Sequence, residues 1–279
     1  MGREENILIF EDTVNKYKTD SCLKESIIES ITNTEIYLEN TELNLNNLSQ
    51  SSIVTEVKVT KDRSFEAARK LVEDGYSSVC VHNFASATNP GGGVTKGSTA
   101  QEECLCRIST LYETLIQKEC INKFYNPHKK QSVVHNDDCI YTPKVTVFKT
   151  DTNKPILMDK KDWYNVNVIT CAAPNLRIMP NNRYNSHESK EKIKVTDREL
   201  LEIHKKRLQR IIDIAYMKGN ECLVLGAFGC GAFQNNPNVV ARATKEVINE
   251  NKGKFKKFVV AVYCTERDMT NYTVFNRMI

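Results

Sequence analysis

The stretch Asn83-Phe84-Ala85-Ser86-Ala87-Thr88-Asn89-Pro90-Gly91-Gly92-Gly93 is followed, after seven residues, by Gln101-Glu102-Glu103. It comes directly after an apolar, β-branched run at 78–84, which predicts a buried strand. Residues 101–119 then carry apolar side chains at helical spacing. In an open α/β sheet, ligands bind at the carboxyl ends of the strands. The pattern therefore predicts a strand, a glycine loop, and a helix whose N-terminus carries two carboxylates to a cleft.

The two glutamates also allow a purely structural interpretation. Ser98 and Gln101 have the spacing of a capping box, and so do Thr99 and Glu102. Acidic residues are in any case stabilised at a helix N-terminus by the helix dipole. On this interpretation the acid pair only stabilises the start of the helix.

A second glycine-rich segment runs from Gly226 to Asn235 and reads GAFGCGAFQN. It follows a predicted strand at 221–227 and precedes a predicted helix at 236–249. Main-chain amides in such a loop can form an anion site next to a helix N-terminus, and Phe233 or Phe228 offers a ring for stacking a base. The spacing fits neither a dinucleotide-binding fingerprint nor a phosphate-binding P-loop. Together the two loops predict a site for a nucleotide sugar.

The whole chain alternates predicted strands and helices. The predicted strands lie at 53–60, 78–84, 141–149, 166–172, 221–227 and 257–264, and the helices at 64–73, 101–119, 196–217 and 236–249. This order predicts an α/β fold with a mixed or mostly parallel sheet flanked by helices on both faces. We expect one domain over residues 1–279, with the first 50 residues as a helical N-terminal extension and 175–195 as a long surface loop near the site.

Composition excludes several classes of protein. The 279 residues carry a net charge of +4, too little for the basic patch of a DNA-binding protein, so no specific DNA binding is expected. The ten cysteines include no CxxC pair and predict free thiols in a reducing compartment rather than a disulfide framework or a zinc site. No signal pattern and no membrane-length apolar run is present. We therefore expect an intracellular, cytoplasmic protein without membrane contact.

The signature of three glycines, seven residues and Gln-Glu-Glu resembles that of poly(ADP-ribose) glycohydrolases (PARGs) of the macrodomain superfamily. The residues around it, and the later Gly-x-Phe-Gly-Cys-Gly-x-Phe-x-Asn loop, are similar to the shorter, bacterial-type branch. The resemblance runs from about residue 3 to 265 and is weak at 35–60, 120–138 and 180–195. It implies a macrodomain-like fold and a glycosidase that cleaves the ribose–ribose bonds of poly(ADP-ribose), releasing ADP-ribose from chain ends.

The resemblance also implies roles for individual residues. Glu103 would be the catalytic general acid and base, and Glu102 would hold the hydroxyls of the distal ribose. The expected binding residues are Asn83 and Asn89 at the ribose, Gly91, Gly92 and Gly93 at the distal ribose and diphosphate, and Gln101 as a support of the loop. In the second loop, Gly229, Cys230, Gly231 and Ala232 would line the diphosphate and Phe233 would stack on adenine. No metal or cofactor is implied, and the expected partners are poly(ADP-ribose) and ADP-ribosylated proteins.

Two other functions stay open at this point. A non-catalytic ADP-ribose-binding macrodomain would keep both glycine loops but lack the acid pair, which is present here. A hydrolase of protein-linked mono-ADP-ribose would use a similar site on a different bond. Among nearby residues, His82 is expected to be structural, because strand alternation turns it away from Asn83. Asn175 and Arg177 follow a predicted strand end and are possible cleft residues.

Overall fold

The computed structural model describes residues 2–45, 53–177 and 195–279. Its strands are β1 (Glu35–Tyr37), β2 (Glu56–Thr60), β3 (Val79–Ala85), β4 (Cys139–Val147), β5 (Tyr164–Ala172), β6 (Cys222–Gly226) and β7 (Lys257–Ala261). Its α-helices are α1 (Arg3–Thr19), α2 (Ser21–Thr32), α3 (Ser64–Glu73), α4 (Gln101–Ile108), α5 (Leu111–Leu115), α6 (Lys118–Cys120), α7 (Asn126–His128), α8 (Asp197–Met217), α9 (Pro237–Glu250) and α10 (Thr270–Met278). A π-helical turn spans Ile121–Tyr125, and 3₁₀ turns span Val94–Lys96 and Lys160–Asp162.

The seven strands form one mixed sheet in the order β1-β4-β5-β3-β6-β7-β2. Strands β5, β3, β6, β7 and β2 are parallel, whereas β4 is antiparallel to both β5 and β1. The predicted mixed sheet is therefore confirmed. Because β3 is flanked by parallel strands on both sides, the loop that follows it opens at the carboxyl edge of the sheet, where ligands bind.

Helices cover both faces of the sheet, as predicted. One face of the central strand, β3, carries Val79 and Val81, which pack under α3, α4 and the helical segment 111–125 that follows α4. The alternate residue Cys80 packs on the other face against α8 and α9. This alternation follows from the period of two in a strand, and it assigns Asn83 to the α4 face and His82 to the α8 face.

The first helix is tied closely to α4. The Asn6 side chain donates a hydrogen bond to the Gly97 carbonyl at 3.1 Å, and the Thr13 hydroxyl donates to the Arg107 carbonyl at 2.6 Å. The Tyr17 hydroxyl donates to the carbonyl of Ser109. We therefore expect α1, predicted as an extension, to fold as one unit with the sheet.

The helix predicted at 101–119 is wrong in its length. It stops at Ile108, because Ser109 takes extended angles (φ −143°, ψ 176°) and forms a β-bridge with Val147. The Thr110 amide also donates to the Thr146 carbonyl at 3.0 Å, so the chain leaves the helix to pair with β4. Strand β1 and helix α10 were not predicted, and most of the predicted surface loop at 175–195 lies outside the described residues.

Candidate active site

A cleft of about 1070 Å³ runs along the carboxyl ends of the parallel strands. Its wall combines residues that follow five different strands. These are Ala173 after β5, Phe84, Ser86, Asn89, Gly92 and Gly93 at and after β3, Ala227, Gly229, Gly231, Ala232 and Phe233 after β6, Val262 and Tyr263 after β7, and Asp62 and Arg63 after β2. Gln101, Glu102 and Glu103 at the start of α4 also line it. The two glycine loops predicted to form one site therefore face the same cleft.

The triple glycine forms a tight turn beneath both carboxylates. Gly91 and Gly92 have left-handed backbone angles (φ +65° and +60°), which favour glycine. A Cβ atom on Gly92 would lie 2.4 Å from Glu103 Oε1 and 3.1 Å from Glu102 Oε2. Both acid groups thus converge on a backbone position where no side chain fits.

Glu103 is held by the turn on one side only. The Gly93 amide donates a hydrogen bond to Glu103 Oε1 at 2.8 Å, and the side chain is buried. The other oxygen, Oε2, has no hydrogen-bond partner among the described residues. A buried acceptor normally finds a donor, so this oxygen is available to a ligand that brings one.

Glu102 is fixed more firmly. The Ser86 amide donates to Glu102 Oε2 at 2.7 Å, and the Asn83 side-chain amide donates to Oε1 at a longer 3.4 Å. Burial, reinforced by the charge of Glu103, raises the pKa of Glu102 to about 8, although the bonds from Ser86 and Asn83 oppose this.

The capping-box interpretation of the acid pair is wrong. The N-cap of α4 is Ala100, and no side chain caps the helix. The Ser98 hydroxyl instead lies beside Gly93, where a built Cβ would be 2.4 Å from it. Both glutamates therefore point at the loop after β3 instead of closing their own helix.

Gln101 and Asn83 support the acids from behind. Gln101 accepts a hydrogen bond from the Phe84 amide at 2.8 Å and donates to the His82 carbonyl at 2.8 Å, which fixes the head of α4 on the end of β3. Asn83 is fully buried and donates to the Thr170 hydroxyl at 3.1 Å. Asn83 and Gly91 are not among the residues that line the cleft. The predicted contact of Asn83 with ribose stays a prediction.

The loop after β6 folds over the end of β5. Gly229 has φ +76°, and its built Cβ would lie 2.6 Å from that of Ala173. The Asn235 side chain donates to the Pro174 carbonyl at 2.7 Å, and the Leu176 amide donates to the Phe233 carbonyl at 3.0 Å. This places Phe233, half-buried, on the cleft wall near β5. Cys230 of the same loop does not line the cleft.

The second ring considered for stacking, Phe228, is not on the cleft. It is fully buried and packs against His82 with ring centroids 4.4 Å apart. His82 is itself 1% exposed, with no partner for either ring nitrogen among the described residues, and burial lowers its pKa to about 3. It is thus a neutral core residue, in keeping with the structural role expected for it.

Comparison with known proteins decides the family. Residues 5–150, about half of the chain, match the family described as microbial-type PARG, catalytic domain. The chain belongs to the microbial-type PARG family. It is therefore a glycosidase with a macrodomain-like α/β fold. No curated protein sequence matches the chain.

Solved PARG structures are similar over almost the whole chain. The enzyme from Thermomonospora curvata bound to the inhibitor ADP-HPD is 28% identical, with a TM-score of 0.81, over 99% of this chain and 100% of that chain. A glutamate-to-alanine mutant of the same enzyme is 27% identical, with a TM-score of 0.80 and the same coverage. The Deinococcus radiodurans enzyme in complex with ADP-ribose is 30% identical, with a TM-score of 0.76, over 90% of this chain and 96% of that chain.

Several residues in or behind this cleft were not found from the sequence. Tyr263 follows the last strand and lies under the Arg63 guanidinium, 4.0 Å from its ring centroid. An aromatic residue at a strand end was a usable signal, but residues 257–264 were all predicted as strand. Thr170 behind Asn83, and the buried Arg107 on α4, gave no signal. Across the described residues, no helix is long and apolar enough to cross a membrane, and no three His, Cys, Asp or Glu side chains group as metal ligands.

Proposed function

We propose that Glu103 is the general acid and base of a PARG reaction that releases ADP-ribose from poly(ADP-ribose). One observation carries the proposal: the Glu103 carboxylate is anchored by the Gly93 amide through one oxygen, while its other oxygen has no partner among the described residues. A group with this role must reach the proton that it transfers, and it must keep its position through the reaction. The anchored turn supplies the second condition.

The chemistry follows from the bond that is cleaved. A protonated Glu103 donates its proton to the ribose oxygen of the polymer that leaves, and the bond between this oxygen and the anomeric carbon of the terminal ADP-ribose breaks with an oxocarbenium-like transition state. The resulting carboxylate then takes a proton from water while the water oxygen bonds to the anomeric carbon. One water is consumed, and Glu103 ends in its starting protonation state.

Glu102 has a different task in this proposal. It is held rigidly by Ser86 and Asn83 next to the same glycine turn, so it suits hydrogen bonding to the hydroxyls of the distal ribose. Its burial raises its pKa to about 8. The ordinary preference of a helix N-terminus for a charged carboxylate is thereby opposed.

The sheet order favours Tyr263 as the ring nearer to adenine. Phe233 lies by β5, which is the neighbour of β3, whereas Tyr263 follows β7, two strands from β3 on the other side. Strands are spaced by about 4.8 Å, so this separation is roughly 10 Å. Adenine is at the opposite end of ADP-ribose from the cleaved bond. We therefore propose Tyr263 for adenine and Phe233 for the ribose beside the acids, in place of the predicted stacking of Phe233 on adenine.

The decisive experiment compares two substrates. The protein is incubated with poly(ADP-ribose) and, separately, with a mono-ADP-ribosylated protein, and released ADP-ribose is quantified by liquid chromatography. We expect release from the polymer and little from the mono-modified protein. Release from the mono-modified protein alone would favour the other hydrolase, and tight ADP-ribose binding without release from either would favour a binding module.

Cleavage from chain ends is the finer part of the proposal, and it rests on the resemblance to the bacterial-type branch. An end-acting enzyme yields free ADP-ribose from the first turnovers, whereas internal cleavage yields shorter polymers before monomer. A time course on long polymer, separated by gel, distinguishes the two. Early accumulation of intermediate-length chains would contradict end-directed cleavage.

A further inference from the structure

Two arginines are the largest fully buried side chains of the described structure, and they differ sharply in their partners. Arg207 forms an ion pair with Asp137 at 3.0 Å and donates to the carbonyls of Ala172, Val134 and His135. Arg107, 2% exposed, donates to the Ser98 carbonyl through Nη2, and its Nε has no hydrogen-bond partner. No carboxylate in the described part of the chain forms an ion pair with it. Burying a guanidinium without a direct counter-ion costs several kcal/mol, so the position of Arg107 calls for a reason.

Glu103 lies four residues before Arg107 on the same helix. Residues i and i+4 share one helix face, and helical side chains lean toward the N-terminus. The Arg107 guanidinium accordingly reaches Ser98, which precedes α4. The built Cβ of Gly93 lies 2.4 Å from Ser98 Oγ and 3.6 Å from Glu103 Oε1. Arg107 and the Glu103 carboxylate therefore border the same turn.

The charges around this turn also place Arg107 in the role of a partner for the acid pair. Glu102 and Glu103 are both buried and bring two acidic groups to one glycine turn, and Arg107 is the only basic residue of α4. Other titratable or charged groups also face this part of the helix. They are Cys104 and Cys106 on α4, Arg63 and Asp151 beside Cys104, Arg3 and Lys96 at the cleft, and Tyr17, Tyr112, Glu113 and Tyr125 from packed segments. Of the three cations among them, Arg3 and Lys96 are exposed and Arg63 is half-buried, so water screens their fields more than that of Arg107.

We propose that Arg107 is the buried counter-charge of the Glu102–Glu103 pair and acts as a positioning residue for the reaction. It fixes the Ser98 carbonyl beside the turn that anchors Glu103, and its positive charge lowers the cost of holding two carboxyl groups together out of water. This inference rests on the proposed PARG function, and it adds a residue outside the Gln101-Glu102-Glu103 motif to the site.

The test uses the matched variants R107Q and R207Q. Glutamine at 107 can still donate to Ser98 but carries no charge. We expect the pH profile of kcat/KM of R107Q, measured as ADP-ribose release, to move to higher pH by about one unit or more, because an opposite charge nearby is lost. R107K is expected to restore the wild-type profile. R207Q is expected to lower thermal stability and leave the profile in place. An R107Q profile that superimposes on the wild type would overturn the proposal.

A stability measurement keeps the proposal testable should R107Q fold poorly, and it separates this failure from failure of the proposed function. At pH 9, where Glu102 is charged, E102Q and R107Q are combined in a double-mutant cycle followed by urea unfolding. We expect the double variant to recover roughly tenfold in the folding equilibrium constant relative to additivity. Strict additivity would overturn the counter-charge. Failure of the wild type to release ADP-ribose from polymer, with coupling present, would instead overturn the proposed function alone.

Discussion

Substitution of Gly92 by alanine tests the geometry of the acid pair most sharply. The new Cβ would lie 2.4 Å from Glu103 Oε1, whereas ordinary contacts begin at about 3.4 Å, so the carboxylate must move by about 1 Å. A misplacement of this size costs about 100-fold in rate when it separates a catalytic group from its target. The left-handed backbone of Gly92 adds about 1 to 2 kcal/mol of strain that lowers stability.

Gly219 provides the control for that strain. It has φ +70°, and no atom lies within 4 Å of its built Cβ. G219A therefore carries the backbone penalty without any clash. We expect both variants to lose similar stability in thermal unfolding, and only G92A to lose about 100-fold in kcat on poly(ADP-ribose). If G92A retained more than a third of wild-type kcat, or if G219A lost as much activity, the carboxylates would not depend on the bare backbone at position 92.

Three further predictions concern the cleft and the buried titratable groups. Y263A should raise KM for polymer about tenfold with a small change in kcat, since stacking on a base contributes about 1–3 kcal/mol. F233A should mainly lower kcat. The reverse pattern would show that Phe233, and not Tyr263, stacks on adenine. The folded protein keeps the Glu102 proton between pH 4.5 and about 8, whereas the unfolded chain loses it, so the free energy of unfolding should fall as pH rises through this window. E102Q should flatten this pH dependence when unfolding is followed in urea titrations. An unchanged pH dependence in E102Q would contradict the burial argument. Three histidines have pKa values lowered by partial or complete burial, namely His82, His135 and His204. The unfolded chain protonates first below pH 6.5, so stability should fall toward pH 4, and H82F should reduce this loss in the same titration; an equally steep loss in H82F would show that His82 does not contribute.

The sequence predicted the sheet because the parallel strands carry either a run of apolar residues or, in β2, alternating apolar and polar residues, and because α3, α8 and α9 each have one apolar face. Helix α4 was predicted too long because helical spacing persists through Leu111 and Leu115, although Ser109 leaves the helix to pair with Val147. Only tertiary contacts decide such a break, and no local signal marks it. The three-residue strand β1 is set in the same way, by its pairing with β4.

The sequence predicted those parts of the site that are contiguous in the chain. Glycines and acids at fixed spacing indicated the loop, the helix and the cleft, because these features are local in sequence. The support of Glu102 by Asn83 and Thr170 joins two strands that lie far apart in the chain. Tyr263 likewise reaches the cleft only because β7 is the second strand from β3 in the sheet. The order in which the strands pair in the sheet decides both contacts, and this order cannot be read from the sequence.

The central claim, that the Glu103 carboxyl transfers the proton, is tested most directly by the E103Q variant. Glutamine keeps the size of the side chain and can still accept from the Gly93 amide, but it cannot exchange a proton. We expect calorimetric ADP-ribose affinity within about threefold of the wild type, together with a loss of at least about 100-fold in kcat on poly(ADP-ribose). An E103Q protein that binds ADP-ribose normally and still releases it at more than a tenth of the wild-type rate would contradict the claim.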